Sequence, residues 1–303
     1  HRPQCHILPM PSSALIIGCG YVGRELALGL LRDGWDVTGW TQTENTAGPL
    51  RAAGLRMIAA DAADARSWSC APHDFSLGIL CAATRGGNAE AYRTVYHHAM
   101  TRLVAHASPS AHLVFASSTS VYAQDDGSWV NEDSDAAPSN PTARVLLDAE
   151  RVCLARGGAV ARIAGIYGPG RSGPIRLLRS GQAHIGPDGG RWLNQIHRDD
   201  VASALRFLGE RRAIGVFNAS DNEPVRQADF YHWLAPRLGL PVPTPGPETV
   251  SRRGPTNKRI SNERLRSLGW TPRFPSFREG YADAIGHPDP LPNARGAPRT
   301  GPS

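Results

Sequence analysis

The residues best able to do chemistry form a turn. Gly18-Cys19-Gly20-Tyr21-Val22-Gly23 spells G-x-G-x-x-G, and such a run holds a diphosphate when a strand precedes it and a helix follows. Gly18 permits the tight turn, Gly20 lets backbone approach the pyrophosphate, and Gly23 lets helix pack on strand. Tyr21 and Val22 sit at the start of the following helix, where unsatisfied N–H groups and the positive dipole end attract phosphate. The bland alternative is a glycine-rich turn without a ligand. An NAD-selective site would place Asp or Glu at the end of the next strand, on the ribose 2′-OH. Here Thr38-Gly39-Trp40-Thr41-Gln42-Thr43 carries no carboxylate before Glu44. That uncharged rim, with hydroxyls such as Thr41, tilts the expected coenzyme from NAD toward NADP. Arg51 either reaches the 2′-phosphate or lies on a solvated helix face.

A turn of this kind works only inside a βαβ unit, and the flanking pattern supplies one. Ala14–Gly18 reads as a strand. Arg24–Asp33 reads as a helix with Leu26, Ala27, Leu30 and Leu31 on one face and Gly34 at its end. Trp35–Trp40, Leu55–Ala60, Leu77–Ala83, His112–Ser117 and Val160–Tyr167 continue the strands, a long helix spans Ala89–His106, and Gly215–Ala219 returns to the sheet. Alternating strands and helices predict an α/β, Rossmann-type, doubly wound parallel sheet. The expected division is a flexible tail at 1–13, a dinucleotide-binding core at 14–168 with 199–222 returning to it, and a smaller substrate lobe from 169–198 and 223–286. A disordered Pro/Gly/Arg-rich tail is expected at 287–303. Gly- and Pro-rich stretches at 168–200 and 240–256 suit a lobe covering a ligand crevice. No internal repeat is present.

The totals exclude other classes. A 41% hydrophobic and 20% charged composition suits a folded globular chain. No apolar run approaches the roughly 20 residues that span a bilayer, and residues 1–13 lack a signal core, so no membrane association and a cytoplasmic location are expected. The net charge of +6 comes from scattered arginines, and Lys258 is the single lysine. Without a concentrated basic face, no nucleic-acid partner is expected. Five cysteines (Cys5, Cys19, Cys70, Cys81, Cys153) share no short spacing, which predicts neither a metal site nor a disulfide framework.

Several segments together resemble the extended and atypical short-chain dehydrogenase/reductases, the NAD-dependent epimerase/dehydratase group, and most of all a bacterial atypical subgroup of YeeZ type. They are Gly18–Gly23, Asp61-Ala62, Cys81-Ala82-Ala83-Thr84, Ser117-Ser118-Thr119-Ser120-Val121-Tyr122, Arg162 through Arg171, Ile196-His197-Arg198-Asp199-Asp200, and Asn257-Lys258-Arg259-Ile260-Ser261-Asn262 through Trp270. The resemblance implies that Asp61 and Ala62 contact adenine. It implies that Ala82, Ala83, Thr84 and Ser117 lie along the coenzyme at the strand ends. It also implies a possible homodimer through helices Ala89–His106 and Thr142–Arg156.

The same resemblance exposes a gap. Relatives use Ser or Thr with a Tyr-x-x-x-Lys pair, in which Lys⁺ lowers the tyrosine pKa for proton transfer. Ser118 matches the first position. Thr142 stands where Tyr is expected and Leu146 where Lys is expected, and neither can do that work. No other helical Tyr-x-x-x-Lys or Tyr-x-x-x-Arg exists in the chain. Catalytic candidates are therefore Ser118, Tyr122 and Thr142. Substrate-binding candidates are Arg144, Arg171 and His197, the last beside Asp199 and Asp200 and equally readable as part of a helix cap. Glu132, Asp133 and Asp135 read as a polar loop. Two functions follow: an NAD(P)-dependent oxidoreductase, epimerase or dehydratase acting on a small polar substrate with an unorthodox acid/base, or a non-catalytic dinucleotide-binding sensor or scaffold.

Overall fold

The computed structural model describes residues 12–84, 86–246 and 257–286. The expectations for residues 1–11 and 287–303, for Cys5 and for 247–256 lie outside the described residues, and Ser13, expected in the N-terminal tail, opens the first strand. The chain runs β1 (Ser13–Ile17), α1 (Gly23–Arg32), β2 (Asp36–Thr41), α2 (Glu44–Ala52), β3 (Arg56–Ala59) and β4 (Leu77–Leu80). A helical stretch then joins α3 (Ala89–Tyr92) to α4 (Ala99–His106) through a π-helical segment, Arg93–His98. There follow β5 (His112–Ser118), β6 (Trp129–Val130), α5 (Pro141–Ala155), β7 (Ala159–Ile163), β8 (Gly165–Tyr167), α6 (Gly173–Arg179), β9 (Trp192–Leu193), β10 (Gln195–His197) and α7 (Arg198–Glu210). The last elements are β11 (Gly215–Ala219), β12 (Val225–Arg226), α8 (Gln227–Arg237), β13 (Arg259–Ile260), α9 (Glu263–Ser267) and α10 (Phe277–Gly286).

Seven parallel strands form one sheet in the order β11-β7-β5-β4-β1-β2-β3. The order reverses between β1 and β4, and the carboxyl ends of strands at such a reversal open a ligand crevice. Both faces are covered, so the strands read as continuous apolar runs. Ile16, Ile79 and Val114 face Leu26 and Leu30 of α1 and Val201, Leu205 and Leu208 of α7. Leu15, Ile17, Leu80 and Phe115 face Met100 and Leu103 of α4 and Leu146, Ala149 and Cys153 of α5. A third core joins Tyr167 and Leu178 to Phe230, Leu234, Phe277 and Tyr281 and builds the smaller lobe.

Two local departures matter. The apolar run expected as one strand, Val160–Tyr167, is two. β7 pairs with β5 and β11, while β8 leaves the sheet and pairs with β10. The break falls where the Ala164 amide still donates to Ala219 O but the Gly165 amide donates to Asn194 O. The expected long helix of 89–106 likewise contains a π-helical segment, with the Tyr92 and Tyr96 rings tilted against each other and Tyr96 edge-on to Phe115.

Candidate functional site

The three glycines of the turn have three different surroundings. Gly18 has φ +101°, and a Cβ there would run into the backbone of Ala82. A Cβ on Gly23 would overlap Gly18 O and lie 2.9 Å from Cys81 Sγ. Those two glycines are required by packing between β1, β4 and α1. Gly20 differs: a Cβ would meet only Gly18 O at 4.0 Å, and its φ is not in the left-handed region. Nothing in the protein itself demands glycine there, whereas a diphosphate lying against the turn would. The Gly18 and Cys19 amides are committed to Trp40 O, the Gly20 amide to Gly18 O and the Arg24 amide to Gly20 O. α1 opens after Val22 with no side-chain cap, so the Val22 and Gly23 amides are those placed to meet an anion at the helix start. A dinucleotide fits this cradle.

Around the turn, Tyr21 donates its hydroxyl to Pro169 O at 2.9 Å. Three guanidiniums, of Arg24, Arg171 and Arg198, lie within 6 Å of its ring, so Arg171 sits against the turn. At the rim of β2, the buried Thr41 hydroxyl donates to Thr43 O. Arg51 bonds Glu44 and Met57 O, a local tie within and beside α2. Asp61 is exposed and accepts from the Ala63 amide, Ala62 O accepts from Trp68 Nε1, and Ala82, Ala83 and Thr84 follow β4 at the reversal point.

Several expected site residues are placed elsewhere. Ser117 is buried and donates to Glu150 at 2.5 Å, and Glu150 in turn forms a buried pair with Arg162 at 2.7 Å. Tyr122 is 1% exposed, donates to Asn218 Oδ1 and lies under the Arg162 guanidinium. Burial pushes its phenol above the usual range, the reverse of what a proton donor near neutrality needs. Both side chains contact the Arg162–Glu150 pair, Ser117 by its hydrogen bond and Tyr122 by its ring, in keeping with the need of a buried charge for partners. His197 is fully buried against Phe274 and Tyr167. Its Nδ1 accepts from the Asp199 amide as the cap of α7, and burial lowers its pKa. Asp200 is held by the Arg273 and Phe274 amides, with its pKa raised to about 6 by burial. That cluster clamps the lobe. Arg144 bonds Pro138 O and Ser139 O, and Thr142 bonds Asn140 Oδ1 at the start of α5. Ser118 stays half-buried at the end of β5, accepting from the Ser120 amide. Glu132 lies in a turn as expected, but its side chain is buried and accepts from the Asn218 amide.

A cleft of about 350 Å³ lies between the sheet ends and the lobe, lined in part by the Gly- and Pro-rich stretch expected to cover a ligand crevice, but the sequence reading assigned none of its lining side chains. Thr119 and Ser120 after β5, Arg191, Gln195, Lys258 and Tyr281 are among its lining residues. Lys258 is 4% exposed and donates to Tyr122 O at 2.5 Å. Burial, followed by the nearby Arg191, lowers its pKa to about 8. The available signal was its type, since it is the one lysine in an arginine-rich chain. Among the described residues no cluster of His, Cys, Asp and Glu suits a metal ion, and no helix is long and apolar enough to cross a membrane. Cys19 and Cys153 are buried, and burial pushes both thiols up to about 12.

Comparisons with known proteins agree with this architecture. Residues 14–219 match the family described as the NAD dependent epimerase/dehydratase family. Protein YeeZ of Escherichia coli (strain K12) is 31% identical over 273 residues, covering 86% of this chain and 95% of that protein. The structure of MoeE5 in complex with UDP-glucose and NAD superposes with a TM-score of 0.74 at 25% identity, covering 91% of this chain and 98% of that one. Human epimerase family protein SDR39U1 (isoform 2), solved with NADPH, shares the fold, with a TM-score of 0.73 at 16% identity over 91% of this chain and 100% of that one.

Proposed function

Because this chain belongs to the NAD dependent epimerase/dehydratase family, we propose that it holds a nicotinamide dinucleotide on the Gly18–Gly23 turn and acts as an atypical oxidoreductase or epimerase on a small polar substrate. The observation that carries the reading is Gly20, a glycine whose absent side chain leaves open space rather than relieving a contact. When bound, the coenzyme supplies or accepts hydride. The chain's own part is to grip the diphosphate with the turn and first amides of α1, and to seat the substrate in the cleft next to Thr119 and Ser120. The uncharged rim at Thr41–Thr43 accommodates a 2′-phosphate as well as a hydroxyl, in keeping with relatives solved with NAD and with NADPH. Acid/base chemistry falls outside the usual pair, since Leu146 is packed in the core and Thr142 is tied to Asn140. Ser118, at the half-buried end of β5, is the hydroxyl we assign to polarising the substrate.

Calorimetric titration with NAD, NADH, NADP and NADPH tests the reading. Heat is expected with at least one coenzyme, and Gly20→Val should abolish it while leaving the melting temperature nearly unchanged. Gly23→Ala should instead cost about 1–3 kcal/mol of stability, because its Cβ has nowhere to go. No heat with any of the four forms would overturn the proposal. Coenzyme binding without turnover on a broad carbonyl and nucleotide-sugar panel would favour a non-catalytic dinucleotide sensor.

A further inference from the structure

We propose that the cleft is a seat for a compact oxyanion, a carboxylate or phosphate on the substrate, clamped between Arg191 and Lys258. The inference deepens the proposed function and rests on its reading of the cleft as the substrate site. The charges that line the cleft are two cations, and no carboxylate lies among its lining residues. Elsewhere buried cations are answered by carboxylates: Arg162 by Glu150, and Arg198 by Asp199 and Glu25. Among the described residues neither Arg191 nor Lys258 has an ion pair. Lys258 spends one N–H on Tyr122 O, which leaves two donors of its ammonium.

The two cations also act on each other. After burial, Arg191 is the next cause that lowers the Lys258 pKa, against a smaller opposing effect from Asp125. Two like charges lining one cleft, the half-buried Arg191 and the buried Lys258, cost stability unless something of opposite sign enters. A third donor faces the same space. Gln195 lines the cleft, is 8% exposed, and holds the Tyr281 hydroxyl at its Oε1, yet its Nε2 has no hydrogen-bond partner. A buried amide N–H without a partner costs free energy, and an anion oxygen would satisfy it. A planar guanidinium, a point-charge ammonium and an amide together form a three-donor set suited to a carboxylate or phosphate. At about 350 Å³ the cleft lies near the low end of the roughly 300–1,000 Å³ range of ligand pockets, which favours a small anion-bearing molecule.

The lone lysine makes the test direct. Protein made with ¹³C-lysine gives a single side-chain Cε resonance, whose pH titration reports Lys258 alone. With malonate or inorganic phosphate added, its pKa should rise saturably by about 1 or more. A larger response to malonate identifies the carboxylate source, and a larger response to phosphate the phosphate source. Arg191→Ala, whose backbone carbonyl still accepts from the Gln227 amide, should remove the saturable rise while leaving the fold intact. No saturable shift with either probe, or an equal shift in Arg191→Ala, would overturn the proposal. No coenzyme is present in this titration, so a failure of dinucleotide binding is separable from a failure of the anion site.

Discussion

A buried amine in the wall of a cleft is unusual, and Lys258 shows its cost in a measurable way. In the unfolded chain it titrates near the ordinary 10.5, whereas in the fold burial and Arg191 bring it to about 8. Between those values the unfolded state binds the extra proton, so stability rises with pH through the window. Below about pH 8 the ammonium is present in both states and its burial counts fully against the fold, by roughly 3 kcal/mol. Lys258→Met removes that charge along with its bond to Tyr122 O. The difference in unfolding free energy between wild type and variant should therefore favour wild type progressively from about pH 8 toward 10.5. Buried thiols and phenols, which lose stability at alkaline pH, are common to both proteins and cancel. A pH-independent difference in chemical denaturation would show that the amine is not perturbed. The glycine turn could be read from spacing because its glycines follow one another within six residues of chain, and two of them, Gly18 and Gly23, fill packing roles between β1, β4 and α1. Lys258 could not, because its environment is made by Tyr122, Arg191 and Gln195, which are distant in the chain.

At the scale of elements, α5 explains why the relatives' proton relay cannot simply be restored. The position that would hold lysine, Leu146, is 3% exposed and packs with Ala149 and Cys153 against the sheet. An ammonium there would lie in an apolar layer, so Leu146→Lys should destabilise by about 3 kcal/mol or more. Combining it with Thr142→Tyr should not create activity, and thermal unfolding of the single and double variants measures the cost. A melting temperature unchanged in Leu146→Lys would mean that α5 can turn that position toward the site. The element pattern was largely legible: β1, α1, β2, β5 and β11 fall within a residue or two of where periodicity puts them. The break between β7 and β8 was not. Apart from Arg162 the run Val160–Tyr167 carries no polar side chain before Tyr167, and the strand divides where the Gly165 amide finds Asn194 O. Asn194 is itself fixed by Lys258 O and the Ile260 amide, so the departure of β8 and the walls of the cleft are one event.

Taken as a whole, the molecule places its two candidate sites on different supports. The glycine turn stands on β1, β4 and α1 within the main sheet, whereas the cleft exists only where the lobe meets the sheet ends, with Tyr281 of α10 on one side and Thr119 and Ser120 on the other. The docking of α10 depends on Gly280, where a Cβ would collide with the Tyr167 hydroxyl. Tyr167 is stacked on Tyr281 with ring centroids 4.2 Å apart, so displacing one ring displaces both. Gly280→Ala should thus push α10 outward and deform the cleft, with a stability loss of about 1–3 kcal/mol from overpacking. The glycines of the turn are packed by β1, β4 and α1 rather than by α10, although Tyr21 reaches Pro169 O, two residues past Tyr167. Coenzyme heat should therefore survive in Gly280→Ala while the malonate response of the Lys258 resonance is lost, both measured on the same preparation. Parallel loss of the two would mean that sheet and lobe respond as one cooperative unit. Survival of both would mean that α10 does not shape the cleft.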